Sequence, residues 1–492
     1  MTPGLPYQDP VDLNTSTPQD LTLRLVAERT QFDISGKKVW GDSYNGDYVG
    51  PTMHFTPGEH VTLTLVNKLA TPTNLHFHGM HMTPSGAGDN PFISVPPGTT
   101  FTYNFDIPLD QPLGTFWYHD HEMCTGNQTM NMPGMPATTP MGSCADTESQ
   151  IFAGLSGAIV VSANGGFGAG ADQGLVVHTM VFKDMQIDKT GQIVQNQGLV
   201  SINSNNPTVR LVNGQLQPVL TMLPGQTELW RLTNAGADIF YDLHLDGYTF
   251  TVVAQDGYPA AVLTTATTLL LPPGKRYDVL VSASSHPGDA WLQTLPYSNG
   301  PGGDSYPAVN LLRLHVAGEA SPTASTPPAA EAGWATSTAG TSLAAAPIAQ
   351  SRTVTLSENA AGTVMYINGK QFDPNKSIFS TPAILGTVEQ WTVLNTTGEV
   401  HPFHLHTDHF QVMSIAGVAQ PYVGQQDTIP VPYEQNGTPG QVVIRIAFTD
   451  FTGRLMFHCH IAAHEDSGMM SFINVDQPPA GFDKRLMWNA GP

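Results

Sequence analysis

Phe457-His458-Cys459-His460-Ile461-Ala462-Ala463-His464-Glu465-Asp466-Ser467-Gly468-Met469-Met470, near the C-terminus of a 492-residue chain, is the stretch from which the rest can be read. In an extended strand successive side chains point to opposite faces, so Cys459 faces one way and His458 and His460 the other. One tripeptide can thus join two metal sites. A thiolate and two imidazoles with a weak thioether form the donor set of a blue, electron-transferring copper, and this stretch supplies Cys459, His464 and Met469 of that set. The second imidazole comes from His401-Pro402-Phe403-His404-Leu405-His406. His401 lies an odd number of positions from His404 and His406 and points away from them, so His401 can join Cys459 while the other two join His458 and His460. His76-Phe77-His78 and His119-Asp120-His121 bring the histidines available to the second site to eight, enough for a three-copper cluster.

The pattern is far from random. With 18 histidines in 492 residues, chance placement gives roughly 0.7 His-x-His pairs, whereas four occur. The chain resembles a three-domain multicopper oxidase of the bacterial laccase, bilirubin oxidase and copper-efflux oxidase group. The resemblance is carried by Asn74-Leu75-His76-Phe77-His78-Gly79, by Thr115-Phe116-Trp117-Tyr118-His119-Asp120-His121, by His401 to His406, and by Phe457 to Met470. These motifs stand in family order, and the likeness covers nearly the whole chain.

That resemblance implies an all-β fold of three consecutive cupredoxin-like Greek-key barrels and four coppers per chain. It assigns His401, Cys459, His464 and Met469 to a type 1 copper, and His76 and His404 to a type 2 copper. It gives His78, His119 and His460 to one type 3 copper and His121, His406 and His458 to the other. Met469, ten residues after Cys459, is selected over its neighbour Met470 by the family's spacing, and a thioether there places the type 1 potential at the lower end for the family. Cys459 with its flanking histidines is the implied electron path. Glu465 resembles the family's proton relay. Asp89, between His78 and Pro96-Pro97-Gly98, resembles its other acidic relay residue or is a solvated turn Asp. Asp466 either orients a ligand or caps a turn.

Composition agrees with many short strands joined by turns: Gly (48) and Pro (40) are plentiful, and only 12% of residues are charged. A formal net charge of -21 argues against nucleic acid or an anionic membrane as partner. No apolar run approaches the roughly 20 residues that span a bilayer. Cys124 and Cys144 flank a Gly/Pro/Met-rich loop; a disulfide between them is the preferred reading and implies an oxidising compartment, the other being two free thiols in a reducing cytosol. The N-terminus shows no secretory signal, so a secreted or periplasmic protein would be numbered after a removed leader.

The chain also repeats itself. Aligning Val66-Asn67 with Leu394-Asn395 superposes His76-Phe77-His78 on His404-Leu405-His406 without a gap. A middle unit carries Thr227-Glu228-Leu229-Trp230, echoed by Val388-Glu389-Gln390-Trp391, but has Tyr241 and Asp246 where the last unit has His401 and His406. The middle unit therefore reads as a spacer and pocket wall without copper ligands. Glycine-rich and Ala/Ser/Thr/Pro-rich stretches divide the chain into domains 1–165, 166–317 and 351–492, with 318–350 a low-complexity linker. Alternation in Leu21-Thr22-Leu23-Arg24-Leu25 and Val61-Thr62-Leu63-Thr64-Leu65-Val66 predicts half-buried strands.

The expected activity is laccase-like: phenolic or similar aromatic donors are oxidised one electron at a time at the type 1 copper, and dioxygen is reduced to water at the cluster. A cuprous oxidase is the alternative, since Met123, Met130, Met132, Met135 and Met141 offer soft ligands for Cu(I) or else fill an irregular loop. A non-catalytic carrier or store is a poorer reading, because it needs one blue site and no further eight histidines. Zinc hydrolysis has no use for the axial Met. The eight histidines outside the motifs, His81 and His409 among them, read as surface or hydrogen-bonded core residues.

Overall fold

The computed structural model describes residues 1–123, 147–162, 175–194, 208–320 and 341–488. Cys124, Cys144, Met130, Met132, Met135 and Met141 lie outside them, as does most of the expected linker.

The alternating stretches form the strands expected of them. His60–Asn67 buries every second residue, Val61, Leu63, Leu65 and Asn67, and leaves the residues between half-buried. It lies parallel to Asp20–Ala27 and antiparallel to Thr100–Asp106. The same parallel-then-antiparallel trio recurs as Val176–Met185, Thr227–Asn234 and Arg276–Ser282. It recurs again as Ile348–Glu358, Thr387–Asn395 and Gly440–Phe448. Parallel neighbours cannot be joined by a tight hairpin, so each trio requires the long return connection of a Greek key.

A second sheet repeats as faithfully. Gly50–Phe55 lies parallel to Ser156–Val161, which pairs antiparallel with Gly114–His119 and through it with His76–His78. The corresponding strands are Val219–Met222, Val309–Val316, Gly288–Leu295 and Tyr241–Leu245 in the middle unit. In the last they are Ala383–Ile384, Met470–Asp476, Gly453–Cys459 and His401–Leu405. Tyr241 opposes Leu271 as His401 opposes Val431, so the alignment of the middle and last units holds in three dimensions. The fold is all-β, three cupredoxin-like units in succession.

Small polar devices are repeated too. Asn67, Asn234 and Asn395 end equivalent strands, and each buried amide donates to two backbone carbonyls: Thr71 and Val95, Ile239 and Leu271, Glu399 and Val431. The indoles of Trp230 and Trp391 donate to Glu228 and Glu389 two residues away. The first unit has its own apolar core, whereas one continuous cluster runs from Met180 to Val475 through the other two. Among the described residues no helix is long and apolar enough to cross a membrane.

This topology decides where the motifs go. His401–Leu405 and Gly453–Cys459 are adjacent, with Phe403 opposite Cys459 and His404 opposite His458. In the first unit His76 lies opposite His119 and His78 opposite Trp117. Each outer unit thus brings its two histidine motifs side by side on the second sheet.

Candidate functional site

Cys459 ends its strand fully buried, and its sulfur sits 3.4 Å from His401 Nδ1 and 3.7 Å from His464 Nδ1, with the two nitrogens 3.2 Å apart. Atoms that each sit about 2.0–2.3 Å from a shared ion are separated by roughly 3.3–3.8 Å, so the three side chains already hold the edges of a coordination polyhedron. Met469 is buried beside them; its N–H donates to the His464 carbonyl and its carbonyl accepts from the Cys459 N–H. Met470 instead packs with Phe92, Met123, Met456 and Phe472, so the two adjacent methionines part ways. Burial pushes the Cys459 thiol well above its ordinary range, which means that a metal must displace its proton to bind. His401 is anchored through Nε2 on Thr397 Oγ1 at 2.8 Å. His464 reaches outward: its side chain keeps 14% exposure and its Nε2 lies 3.2 Å from Glu399 Oε1.

On the other face of the Cys459 strand lies a chamber lined by all eight remaining motif histidines, His76, His78, His119, His121, His404, His406, His458 and His460, each at most 1% exposed. The first and last units interleave here. His76 stacks on His406 with centroids 3.9 Å apart, and His78 on His404 at 3.8 Å. Inside the chamber His458 Nε2 lies 3.1 Å from His406 Nε2 and 3.4 Å from His121 Nε2, and His460 Nε2 lies 3.2 Å from His78 Nδ1. The expected trio His121, His406 and His458 closes as one group of metal-binding geometry. The other expected sets do not separate so neatly: the remaining histidine groups that close are His76, His78 and His119, and His76, His404 and His406, both sharing His76.

Outer partners set the tautomers. His76 Nδ1 donates to Asp89 at 2.9 Å, His404 Nδ1 to the Asp427 carbonyl at 2.9 Å, and His119 Nδ1 to the Asp120 carbonyl at 2.7 Å. In these three rings Nε2 is left inward, buried and without a hydrogen-bond partner. A buried polar nitrogen with no partner costs on the order of 1–3 kcal/mol, and metal ions accepting those lone pairs account for the arrangement. Burial and mutual crowding push His78, His119, His404 and His406 well below their ordinary range, His121 to about 4 and His460 to about 3. At neutral pH these rings are uncharged, the form in which imidazole binds a metal. The donor sets fit copper in both places.

The acidic residues fall into distinct settings. Glu465 lies between the chamber and its wall, Oε2 at 2.9 Å from His458 Nδ1 and Oε1 at 3.3 Å from His121 Nε2. Burial raises its carboxyl, but the His121 and His458 rings outweigh that and bring it down to about 2. Asp89 is 1% exposed and also accepts from the Phe77 N–H at 2.9 Å, so it is no solvated turn residue. Asp466 accepts from the N–H groups of Thr147 and Glu148, capping the helix Thr147–Ala153 of the first unit. Two further acidic residues, Asp427 and Glu399, belong to no motif. No spacing rule marks Asp427; it becomes visible only when Thr428–Val431 is seen to pair with His401–Leu405. Glu399 could have been suspected from its place two residues before His401.

Models of multicopper oxidase domains match residues 26–138, 177–315 and 345–479 in succession. A multicopper oxidase of Staphylococcus aureus is 27% identical over 472 residues, covering 92% of this chain and 88% of its own. A laccase of Bacillus subtilis is 25% identical over 527 residues, covering 93% and 94% respectively. A solved multicopper oxidase from Campylobacter jejuni, described as a metallo-oxidase, superposes with a TM-score of 0.78 at 24% identity over 97% of this chain and 96% of that one. With family models along all three units and donor sets that suit copper, the chain belongs to the multicopper oxidase family and is a copper oxidoreductase.

Proposed function

We propose that the protein is a laccase-like oxidase that couples one-electron oxidation of phenolic donors to four-electron reduction of dioxygen to water. The observation that carries this reading is the shared tripeptide: Cys459 closes the outer site with His401 and His464 while His458 and His460 enter the eight-histidine chamber. In this reading His401, Cys459, His464 and Met469 hold one copper and the eight histidines hold three. Bound there, copper supplies reversible one-electron exchange at the first site and storage of several electrons at the second.

The chain's own groups do the remainder. His464 is the ligand edge open to a donor. The loop of Asn299 to Gly303 from the middle unit lies against Gly398 and Glu399 beside it, the Asn299 carbonyl accepting from the Val400 N–H at 2.7 Å. Cys459 and its peptide neighbours give the covalent route inward. Glu465, ionised at neutral pH and with one carboxylate oxygen free of hydrogen bonds, is the base placed to accept protons in transit and pass them on to the chamber, where water formation requires them. Asp89 holds the His76 ring in orientation.

A cuprous oxidase is the second reading, favoured by the acidic surroundings of the donor edge. Glu399 Oε1 lies 3.2 Å from His464 Nε2, and after burial itself Glu358, Asp304 and Asp238 push its carboxyl up to about 8, so it holds a proton at neutral pH that a cationic donor would displace on binding there. Dioxygen uptake with dimethoxyphenol and with Cu(I), in the wild type and in Glu399→Gln, separates the two. Rapid phenol turnover that the substitution leaves intact establishes the laccase. Preferential Cu(I) turnover that falls in the variant replaces it with the cuprous oxidase, and no uptake with either donor sinks both.

A further inference from the structure

The middle unit supplies none of the eight chamber histidines, yet one of its turns reaches the chamber. Pro272-Pro273-Gly274-Lys275-Arg276 brings Gly274, at φ +82°, so close that a Cβ there would lie 2.8 Å from His460 Cδ2 and 3.0 Å from His78 Cε1. Backbone alone fits as the wall. Two residues on, the fully buried Arg276 spreads its guanidinium across both oxygens of Asp427, Nη1 to Oδ1 at 2.8 Å and Nη2 to Oδ2 at 2.7 Å. Its Nε donates to the Thr115 carbonyl of the first unit at 3.2 Å, and Nη1 also donates to the Gly274 carbonyl at 3.0 Å. Gly79, next to His78, is packed against the same pair: a Cβ there would collide with Arg276 Nη2 and Asp427 Oδ2.

Asp427 in turn touches the chamber at two points. Its Oδ1 lies 3.3 Å from His78 Nε2 and its carbonyl accepts from His404 Nδ1, while Oδ2 lies 3.3 Å from His409 Nε2. His78 is mounted the other way round from His76, His119 and His404: its Nε2 points outward and its Nδ1 inward, toward His460. An outward Nε2–H needs an acceptor, and Asp427 is placed to be it. A fork that grips both oxygens fixes the plane of that carboxylate; a single ammonium could not.

We infer that Arg276 is a positioning residue of the oxygen-reducing chamber, acting from the middle unit through Asp427 to hold His78 and His404 in their metal-binding orientation. The middle unit is then a working part of the chamber and not only a spacer. The inference rests on the reading of the eight histidines as copper ligands.

The test is copper retained per chain after dialysis against a graded chelator, with the blue absorption and donor kinetics recorded alongside. In Arg276→Gln the blue absorption and the KM for dimethoxyphenol should match wild type, while chamber copper is released at roughly 10- to 100-fold lower chelator and kcat falls comparably. Arg276→Lys, which keeps the charge but not the fork, should fall between. The double variant R276Q/D427N removes both charges together and should fold yet hold chamber copper no better than R276Q. Chelator resistance equal to wild type in R276Q overturns the inference; if R276Q does not accumulate, the same result in the double variant or in R276K does so. A wild-type protein that binds a single copper would instead overturn the ligand reading and this inference with it.

Discussion

Cys459 and Glu465 sit six residues apart, and in the proposed function they divide the chemistry between them. Cys459 is a small buried thiol whose sulfur faces two imidazoles, and Cys459→Ser should remove the blue colour and donor oxidation while the chamber keeps its copper; metal analysis alongside the visible spectrum checks both halves. Glu465→Gln keeps the shape and the contact with His458 but cannot carry a proton, so kcat should fall by roughly 10²-fold with the blue spectrum and donor KM unchanged, as read by steady-state oxygen uptake. Neighbouring residues differ in how far the sequence speaks for them. Parity along a strand is local, so the split between Cys459 and its histidines is legible in the sequence alone. Asp466 keeps two possible roles at that level, because its partners, the N–H groups at Thr147 and Glu148, lie more than 300 positions away. Asp427 and Arg276 carry no signal for the same reason: each has meaning only through the other.

At the scale of elements, strand alternation is local and the internal repeat compares one local pattern with another, which is why the fold class, the strands over 21–25 and 61–66 and the match of Tyr241 to His401 could be read directly. What strand periods do not show is the buried amide closing each unit. Asn395 donates to Glu399 and Val431 and accepts from Thr397, whose hydroxyl holds His401. Asn395→Ala leaves buried carbonyls unpaired and should cost about 2–3 kcal/mol of stability. It should also broaden or shift the blue absorption. Asn234→Ala removes the equivalent bonds in the middle unit at similar cost, and its spectrum should stay unchanged. Denaturant unfolding and visible spectra of the two variants check the contrast; equal spectra would detach Asn395 from the metal site.

Across the whole molecule the first and last units are held together by more than the chamber. His81 of the first is buried against the last, with Nε2 2.8 Å from Asp450, Nδ1 3.0 Å from the Thr407 carbonyl and 3.6 Å from Asp408. Burial alone would lower its imidazolium, but Asp450, Asp408 and Thr407 outweigh that and raise it to about 9. Raised above roughly 6.5 in the unfolded chain, it stabilises the fold fully below that pH and loses the contribution as pH climbs through about 9. The gain is on the order of 1–3 kcal/mol, toward the lower figure because Asp450 is half exposed to water. His81→Gln should therefore unfold at lower temperature than wild type near about pH 6 and at nearly the same temperature near about pH 10. Thermal scans at the two pH values check it.

The chamber's ancestry in two distant segments has a consequence for how the protein is made. His121 and His458 are 337 residues apart yet meet across 3.4 Å. At roughly 5–20 residues per second a ribosome needs about 20–70 s to deliver the second after the first. Throughout that interval the four imidazoles of the first unit face no counterpart and the thiol that joins the two sites does not yet exist. On the proposed ligand assignment, assembly of the copper centres is thus confined to the end of synthesis, after the final strands have emerged, and a chain truncated anywhere before Cys459 should show neither blue colour nor oxygen uptake.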